Sequence, residues 1–346
     1  MVAIPQRNDP TLQAVDAALE ASVERRPRRY LGMSEIGHPC RRRLWYRFRW
    51  CWFDSFDAAT LKRFEDGHDQ EAKQARRLRL VEGLTLHIVD PVTGKQFDVS
   101  DHGGHFQGHL DGAIQGLLQA PKAWHVWEHK STDEKNANKL DKLKGEKGEK
   151  GALESWNETY HAQAQCYMHY TGMERHYLTC STPGGRRTTS VRTNYEPDTA
   201  SVLSGKALSI IVAPEPLERL SEKPEYYLCK WCEQAPVCHH GKVPEVSCRT
   251  CAHATPELDG DGRWSCARHR KDLTISEQKA ACPDHVLIPA LVPLEMVDAS
   301  AERNTVTYQI PGTKLTIENG TGENSSEELR TFIHERPLGE SNDAAA

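Results

Sequence analysis

The sequence predicts an α/β protein in which a mixed central sheet is flanked by helices and followed by a cysteine-rich, metal-binding appendage. Two observations predict it. Hydrophobic spacing alternates between helical and strand periods in the order helix, three strands, helix, strand. Beyond that pattern, three cysteines cluster between Cys229 and Cys238, and four more follow by Cys282. A chain of 346 residues can hold one large domain, or a core with a smaller appendage. Its net charge of −5 predicts no whole-molecule affinity for nucleic acid. No apolar run approaches the roughly eighteen residues of a membrane span, and the N-terminus lacks a charged-then-apolar signal pattern, so a soluble cytoplasmic protein is expected. Eleven cysteines in such a chain read as metal ligands or buried small hydrophobes rather than a disulfide framework.

Pro10 to Arg25 carries Leu12, Val15, Leu19 and Val23 at helical spacing and predicts a surface-packed helix. From Arg25 to Arg49 there are nine arginines against one acid, Glu35, interleaved with Tyr30, Trp45, Tyr46 and Trp50. Guanidinium groups take phosphates and aromatic rings stack on exposed bases, so Arg41, Arg42, Arg43, Trp45 and Tyr46 are candidate DNA contacts. A helix that turns its aromatics to the core fits the same pattern. Ala58 to Val81 predicts a long helix in which Leu61, Phe64, His68, Ala72, Ala75 and Leu78 recur three and four apart, with His68 on the inward stripe. A histidine placed there is ordinarily a satisfied core residue.

Strands are expected at residues 84–89, 106–114 and 123–129. In residues 133–151, six lysines face five acids, a balance that predicts an exposed, mobile loop beside the mouth of any site on the sheet. Residues 156–170 return to helical spacing, with Gln163 and Tyr167 on one face. Strands over 175–181 and 188–194 and a helix over 197–212 follow. Residues 305–317 alternate around Pro311-Gly312 as a hairpin, and the tail from Gly320 has a disordered composition.

The chemistry concentrates between Gly108 and Tyr167. Asp111 and Glu128 lie on neighbouring predicted strands, and the period of two turns Glu128 and Lys130 to one side while His129 faces away with its carbonyl available. Two carboxylates suit a hard divalent ion, and a lysine beside it can orient a water. The pattern is that of a site for metal-assisted hydrolysis.

Asp111, Glu128-x-Lys130 and Gln163-x-x-x-Tyr167 resemble the PD-(D/E)XK nuclease core, in its RecB and lambda-exonuclease branch. Gly-His-Leu at 108–110 stands where the nominal Pro precedes the aspartate, a substitution common in that branch. The resemblance covers roughly residues 30–240. It implies that Asp111, Glu128, His68 of the Gly67-His68 pair and the carbonyl of His129 hold Mg²⁺ or Mn²⁺, with Glu71 as an outer partner. Lys130 would position the attacking water, while Gln163 and Tyr167 would orient Lys130 or the substrate phosphate. It further implies an exonuclease acting on DNA ends, single- or double-stranded, in recombination, repair or phage DNA processing. Such an enzyme is bacterial, or phage-encoded and active in the host cytoplasm. With no P-loop in the chain, it works alone or beside a recombinase, a single-strand-binding protein or a helicase. An endonuclease with the same site, a non-catalytic DNA-binding module and a cysteine-rich redox protein are the alternatives.

Cys229, Cys232 and Cys238, together with Cys40 ahead of the core, resemble the iron–sulfur staple of AddB-type and CRISPR-adaptation exonucleases. That likeness implies a structural [4Fe–4S] cluster. A zinc knuckle or redox pair is the alternative for such a CxxC, with Cys51 as a competing fourth ligand. Cys248, Cys251, Cys266 and Cys282, spaced C-x2-C-x14-C-x15-C, suit tetrahedral zinc or a second cluster, with His253, His269 and His285 in reserve. Cys166 and Cys180 read as buried thiols. The expected domains are an N-terminal helix over 1–29, the nuclease core over 30–240, a zinc-ribbon-like subdomain over 241–290, a β-hairpin over 291–319 and the tail.

Overall fold

The computed structural model describes residues 9–23, 27–53, 55–322 and 324–335. It comprises two compact units: residues 1–27, 54–99 and 108–200 form one, and residues 28–53, 100–107 and 201–346 the other. The expected continuous core over 30–240 is thus divided. Helix Arg41–Phe48 belongs with the C-terminal half because its arginines find their acceptors there: Arg41 reaches Ser209 Oγ at 2.6 Å and Arg42 the Leu217 carbonyl at 2.8 Å.

The first unit opens with α1 (Pro10–Ser22), capped by Asp9, and α2 (Ala58–Leu78), capped by Asp57. β1 (Thr85–His87), β2 (Gly112–Gln115) and β3 (His125–Ser131) follow, then α3 (Glu134–Trp156), α4 (Glu158–Thr171), β4 (Arg175–Ser181) and β5 (Thr188–Asn194). The five strands form one sheet in sequence order, with β3 and β4 parallel and the other neighbours antiparallel. The parallel pair needs a crossover, which α3 and α4 supply. One face carries Ala75, Leu78, Leu86, Ile114, Leu117 and Trp127 as a buried cluster.

Several expectations change. Residues 106–114 do not form one strand: Phe106–His109 and β2 are separate, and the chain breaks at Leu110-Asp111. Gly112 is needed just after the break, since a Cβ there would lie 2.5 Å from the His87 carbonyl oxygen. Residues 133–151 are helical in α3, not a loop, with a kink at Gly148. Asp133 caps the helix, and Ala137, Leu140, Ala152 and Leu153 give it a buried side among its charges. On α2 the inward side is carried by Gln70, Gln74, Ala75 and Leu78, so Phe64, His68 and Ala72 are exposed. Apolar spacing placed the stripe too far round because two glutamines occupy buried positions.

In the second unit, Leu31 and Gly32 pair in parallel with Phe106 and Gln107. A small antiparallel sheet contains Ala254–Pro256, Trp264–Cys266 and Lys271–Asp272. The expected hairpin exists as Thr305–Gln309 and Thr316–Gly320, joined by a third strand, Glu295–Ser300. The tail is not disordered throughout, since Ser326–Glu335 forms a helix and residues 336–346 lie outside the described ones. Leu329 and Ile333, four apart, enter the same cluster as Val243, Leu287, Val306 and Tyr308. Leu329→Ala is therefore expected to cost about 2–5 kcal/mol in urea unfolding; an unchanged midpoint would return the segment to a disordered tail. Among the described residues no helix is long and apolar enough to cross a membrane.

His176 on β4 lies fully inside the first unit, and burial lowers its pKa to about 3. Below the usual histidine pKa, near 6.5, the unfolded chain takes up a proton that the folded chain refuses. Stability therefore falls with pH by about 1.4 kcal/mol per unit down to the folded pKa. In His176→Gln, which cannot titrate, the acid limb of Tm against pH should be shallower by that increment between pH 6.5 and 5, judged beside the parent chain. An identical limb would show that His176 charges in the folded state.

Candidate active site

The break before β2 puts Asp111 at the start of a strand whose neighbour, β3, carries Glu128 and Lys130. Glu128 is 3% exposed. Its Oε1 accepts from Gln163 Nε2 on α4 at 3.0 Å and pairs with Lys130 Nζ, while Oε2 is buried with no hydrogen-bond partner. Gln163 Nε2 also donates to Tyr167 Oη at 3.0 Å, and Tyr167 Oη donates to the His109 carbonyl at 2.9 Å. Asp111 Oδ2 accepts the backbone N–H of His129 at 2.8 Å. The five residues Asp111, Glu128, Lys130, Gln163 and Tyr167 thus meet at one place.

The His129 ring turns to the other side of the sheet, as the strand period requires. Its nitrogens meet Thr179 Oγ1 at 2.9 Å and Ser181 Oγ at 2.8 Å. His68, expected inside, is exposed on α2 yet near enough for its charge to be felt at Asp111. Tyr160 was missed by the sequence reading. Its ring centroid lies 5.4 Å from Lys130 Nζ, and its place three residues before Gln163 on one helix face was the available signal.

The electrostatics are those of an acid cluster with too few cations. Burial raises the pKa of Glu128 well above the carboxylate range, and the charge of Asp111 adds to it. Burial also raises Asp111, against the pull of Lys130 and the His129 N–H. Glu71 is pushed up to about 7 by burial and by Asp111. Burial works against the charge of Lys130, but Glu128 and Asp111 outweigh it and hold its pKa above the usual lysine value. A divalent cation would relieve all three acids, and the orphaned Glu128 Oε2 is the kind of hard oxygen it takes. Among the described residues no three His, Cys, Asp or Glu side chains already stand in a geometry that holds a metal ion.

In the other unit Cys40, Cys229, Cys232 and Cys238 line one cavity, together with Arg43, Tyr46 and Arg219. Cys40 caps helix Arg41–Phe48, its Sγ accepting from Arg43 N at 3.3 Å. The four thiols are the donor set of a [4Fe–4S] cluster. Cys51 is buried elsewhere and does not line this cavity.

The expected DNA contacts on helix Arg41–Phe48 are not displayed. Trp45 and Tyr46 are buried, so their rings cannot stack on bases. Arg42 is held by Tyr46 Oη and the Leu217 carbonyl, and Arg43 and Arg47 share Glu233. Only Arg41 is exposed, and it bonds to Ser209. Arg25 and Arg26 lie outside the described residues. The arginines of this helix are internal bracing, because Arg41, Arg42, Arg43 and Arg47 each found a hydroxyl, carbonyl or acid inside their own unit.

No protein-family profile matches the chain, and no curated protein matches it. Solved structures do. The crystal structure of SSO0001 aligns at 15% identity and TM-score 0.37, covering 68% of this chain and 98% of the other. LHK-Exo in complex with dAMP aligns at 13% identity and TM-score 0.36, covering 57% and 90%. The same alkaline exonuclease from Laribacter hongkongensis aligns at 12% identity and TM-score 0.34, covering 56% and 90%.

Proposed function

We propose that this chain is a metal-dependent nuclease that hydrolyses DNA phosphodiester bonds from DNA ends. The observation that carries the reading is Glu128, a buried carboxylate whose one oxygen is fixed by Lys130 and Gln163 while the other has no partner. A cation-free protein gains nothing from that arrangement, since an unpaired buried carboxylate oxygen costs free energy.

Mg²⁺ or Mn²⁺ bound by Glu128, Asp111, His68 and the His129 carbonyl would place positive charge at the scissile phosphate and make a bound water more acidic. The rest falls to the chain's own side chains. Gln163 fixes the Glu128 carboxylate, and Tyr167, anchored on the His109 carbonyl, fixes Gln163. Lys130 stays an ammonium, so it donates to a phosphate oxygen and holds the attacking water rather than removing its proton. The water oxygen attacks phosphorus and gives up its proton to solvent, the bond to the leaving sugar oxygen breaks, and that oxygen takes up a proton from solvent.

Cys40, Cys229, Cys232 and Cys238 would hold a structural [4Fe–4S] cluster on the iron–sulfur reading. A single zinc ion on the same four thiols is the alternative occupant. One experiment addresses both questions: anaerobically purified protein, its visible spectrum, and digestion of end-labelled linear DNA beside covalently closed circles in Mg²⁺, Mn²⁺ or EDTA. Metal-dependent loss of linear DNA alone is the expected result. Cutting of circles would make the protein an endonuclease, and binding without cleavage in either metal would overturn the nuclease reading. A brown protein supports the cluster; a colourless one with zinc replaces it.

A further inference from the structure

The second cysteine group belongs to the second unit, whereas the acid cluster belongs to the first. Cys248, Cys251, Cys266 and Cys282 line a single cavity of about 310 Å³, and all four are free thiols. Cys248 and Cys251 stand on a tight turn in which Cys251 N donates to the Cys248 carbonyl at 3.1 Å, and the His253 N–H points back to Cys251 Sγ at 3.5 Å. Cys266 ends a strand directly opposite Ala254. Cys282 Sγ lies 3.4 Å from His269 Nε2.

The histidines nearby are otherwise employed. Both ring nitrogens of His285 are bonded, Nδ1 to Ser326 Oγ at 2.8 Å and Nε2 to the Ser247 carbonyl at 2.9 Å. His253 Nε2 is bonded to Asn304 Oδ1 at 2.6 Å. His269 is exposed and lines the same cavity, its Nε2 3.6 Å from Asp284 Oδ2. Four sulfurs lining one cavity make a complete tetrahedral donor set without calling on either His253 or His269.

Two buried cations point the same way. Arg249, between the first two cysteines, is fully buried against Trp50, Phe48 and Trp264. Arg49 is buried beside it, and its Nη1 donates to the Arg249 and Ala254 carbonyls, which bracket Cys251. Among the described residues neither guanidinium forms an ion pair with a carboxylate, and Arg49 Nε has no partner at all. Buried charges are ordinarily paired. Four thiolates around one divalent ion carry a double negative charge, which would supply the missing counter-charge. The local sheet is also too small to hold itself: its strands have three, three and two residues.

We propose that Cys248, Cys251, Cys266 and Cys282 close on one zinc ion as a tetrathiolate that staples the turn at Cys248–Cys251 to the strand ending at Cys266 and to the loop at Cys282. The test is independent of whether the chain cuts DNA. The full chain, purified without added metal, is measured for zinc beside Cys266→Ser and Cys282→Ser, and parent-chain thiols are mapped by iodoacetamide and mass spectrometry before and after chelation. The expected result is one zinc equivalent per chain lost in each variant, whatever the Cys40 cavity holds, with these four cysteines labelled only after chelation. Since a variant may misfold, the parent chain decides: four thiols that label at once without chelator, or iron instead of zinc bound to them, overturn the assignment.

Discussion

Lys130→Ala is expected to lower DNA cleavage by at least about 10²–10³-fold in kcat, the usual cost of removing one charge-stabilising donor. Folding and DNA binding should be largely unaffected. Among the described residues Lys130 is the sole lysine bonded to the Glu128 carboxylate, and its position over the Tyr160 ring keeps it there. Removing a partner from a buried ion pair can cost several kcal/mol. Here Glu128 has an alternative, because its pKa is already raised by burial and Asp111, and Gln163 still donates to it. A proton can replace the lysine in the metal-free protein, so the stability loss should be small. Circular dichroism and filter binding against cleavage of labelled DNA separate the effects. Cleavage within tenfold of the parent chain would remove Lys130 from the chemistry.

Arg249→Ala should give the largest loss of stability, about 4 kcal/mol or more, in the range reached when a buried charge network is broken. The guanidinium donates to the Phe48 and Arg29 carbonyls at 2.9 Å and to Gln278 Oε1 at 3.0 Å, and its Cζ lies 3.8 Å from the Trp50 ring centroid. Alanine would leave three acceptors unpaired, at about 1–3 kcal/mol each where water cannot reach them, and open a cavity between two tryptophans. Arg249→Met restores most of the volume but none of the donors. Its urea midpoint should therefore fall between those of the parent and the alanine variant. If methionine equals arginine, packing alone explains the residue and its hydrogen bonds contribute nothing net.

The acid cluster was legible because it obeys the two simplest periods. Glu128 and Lys130 are two apart on a strand, and Gln163 and Tyr167 four apart on a helix, so their common faces follow from spacing. The helix over residues 134–156 was not legible, since balanced charge and three glycines, Gly145, Gly148 and Gly151, hide four buried apolar positions. Nor was the break at Asp111, which depends on how closely Gly112 approaches a neighbouring strand. The arginine run misled for a related reason. Composition records that guanidinium groups are present, whereas their acceptors at Glu233, Ser209 and Leu217 lie some 170–190 residues away.

Asn157 ends α3 and at the same time caps α4, its side chain accepting from Tyr160 N at 3.0 Å. With no slack between the helices, α4 is phased like a gear on a fixed tooth. One residue inserted between Asn157 and Gln163 would turn everything beyond it by about 100°. Gln163 and Tyr167 would then leave Glu128 together, although no functional side chain had been changed. Along the lineage of this chain, length between Asn157 and Tyr167 should be as tightly held as the identity of the acids themselves, while the exposed charged stretch before Gly148 is free to drift.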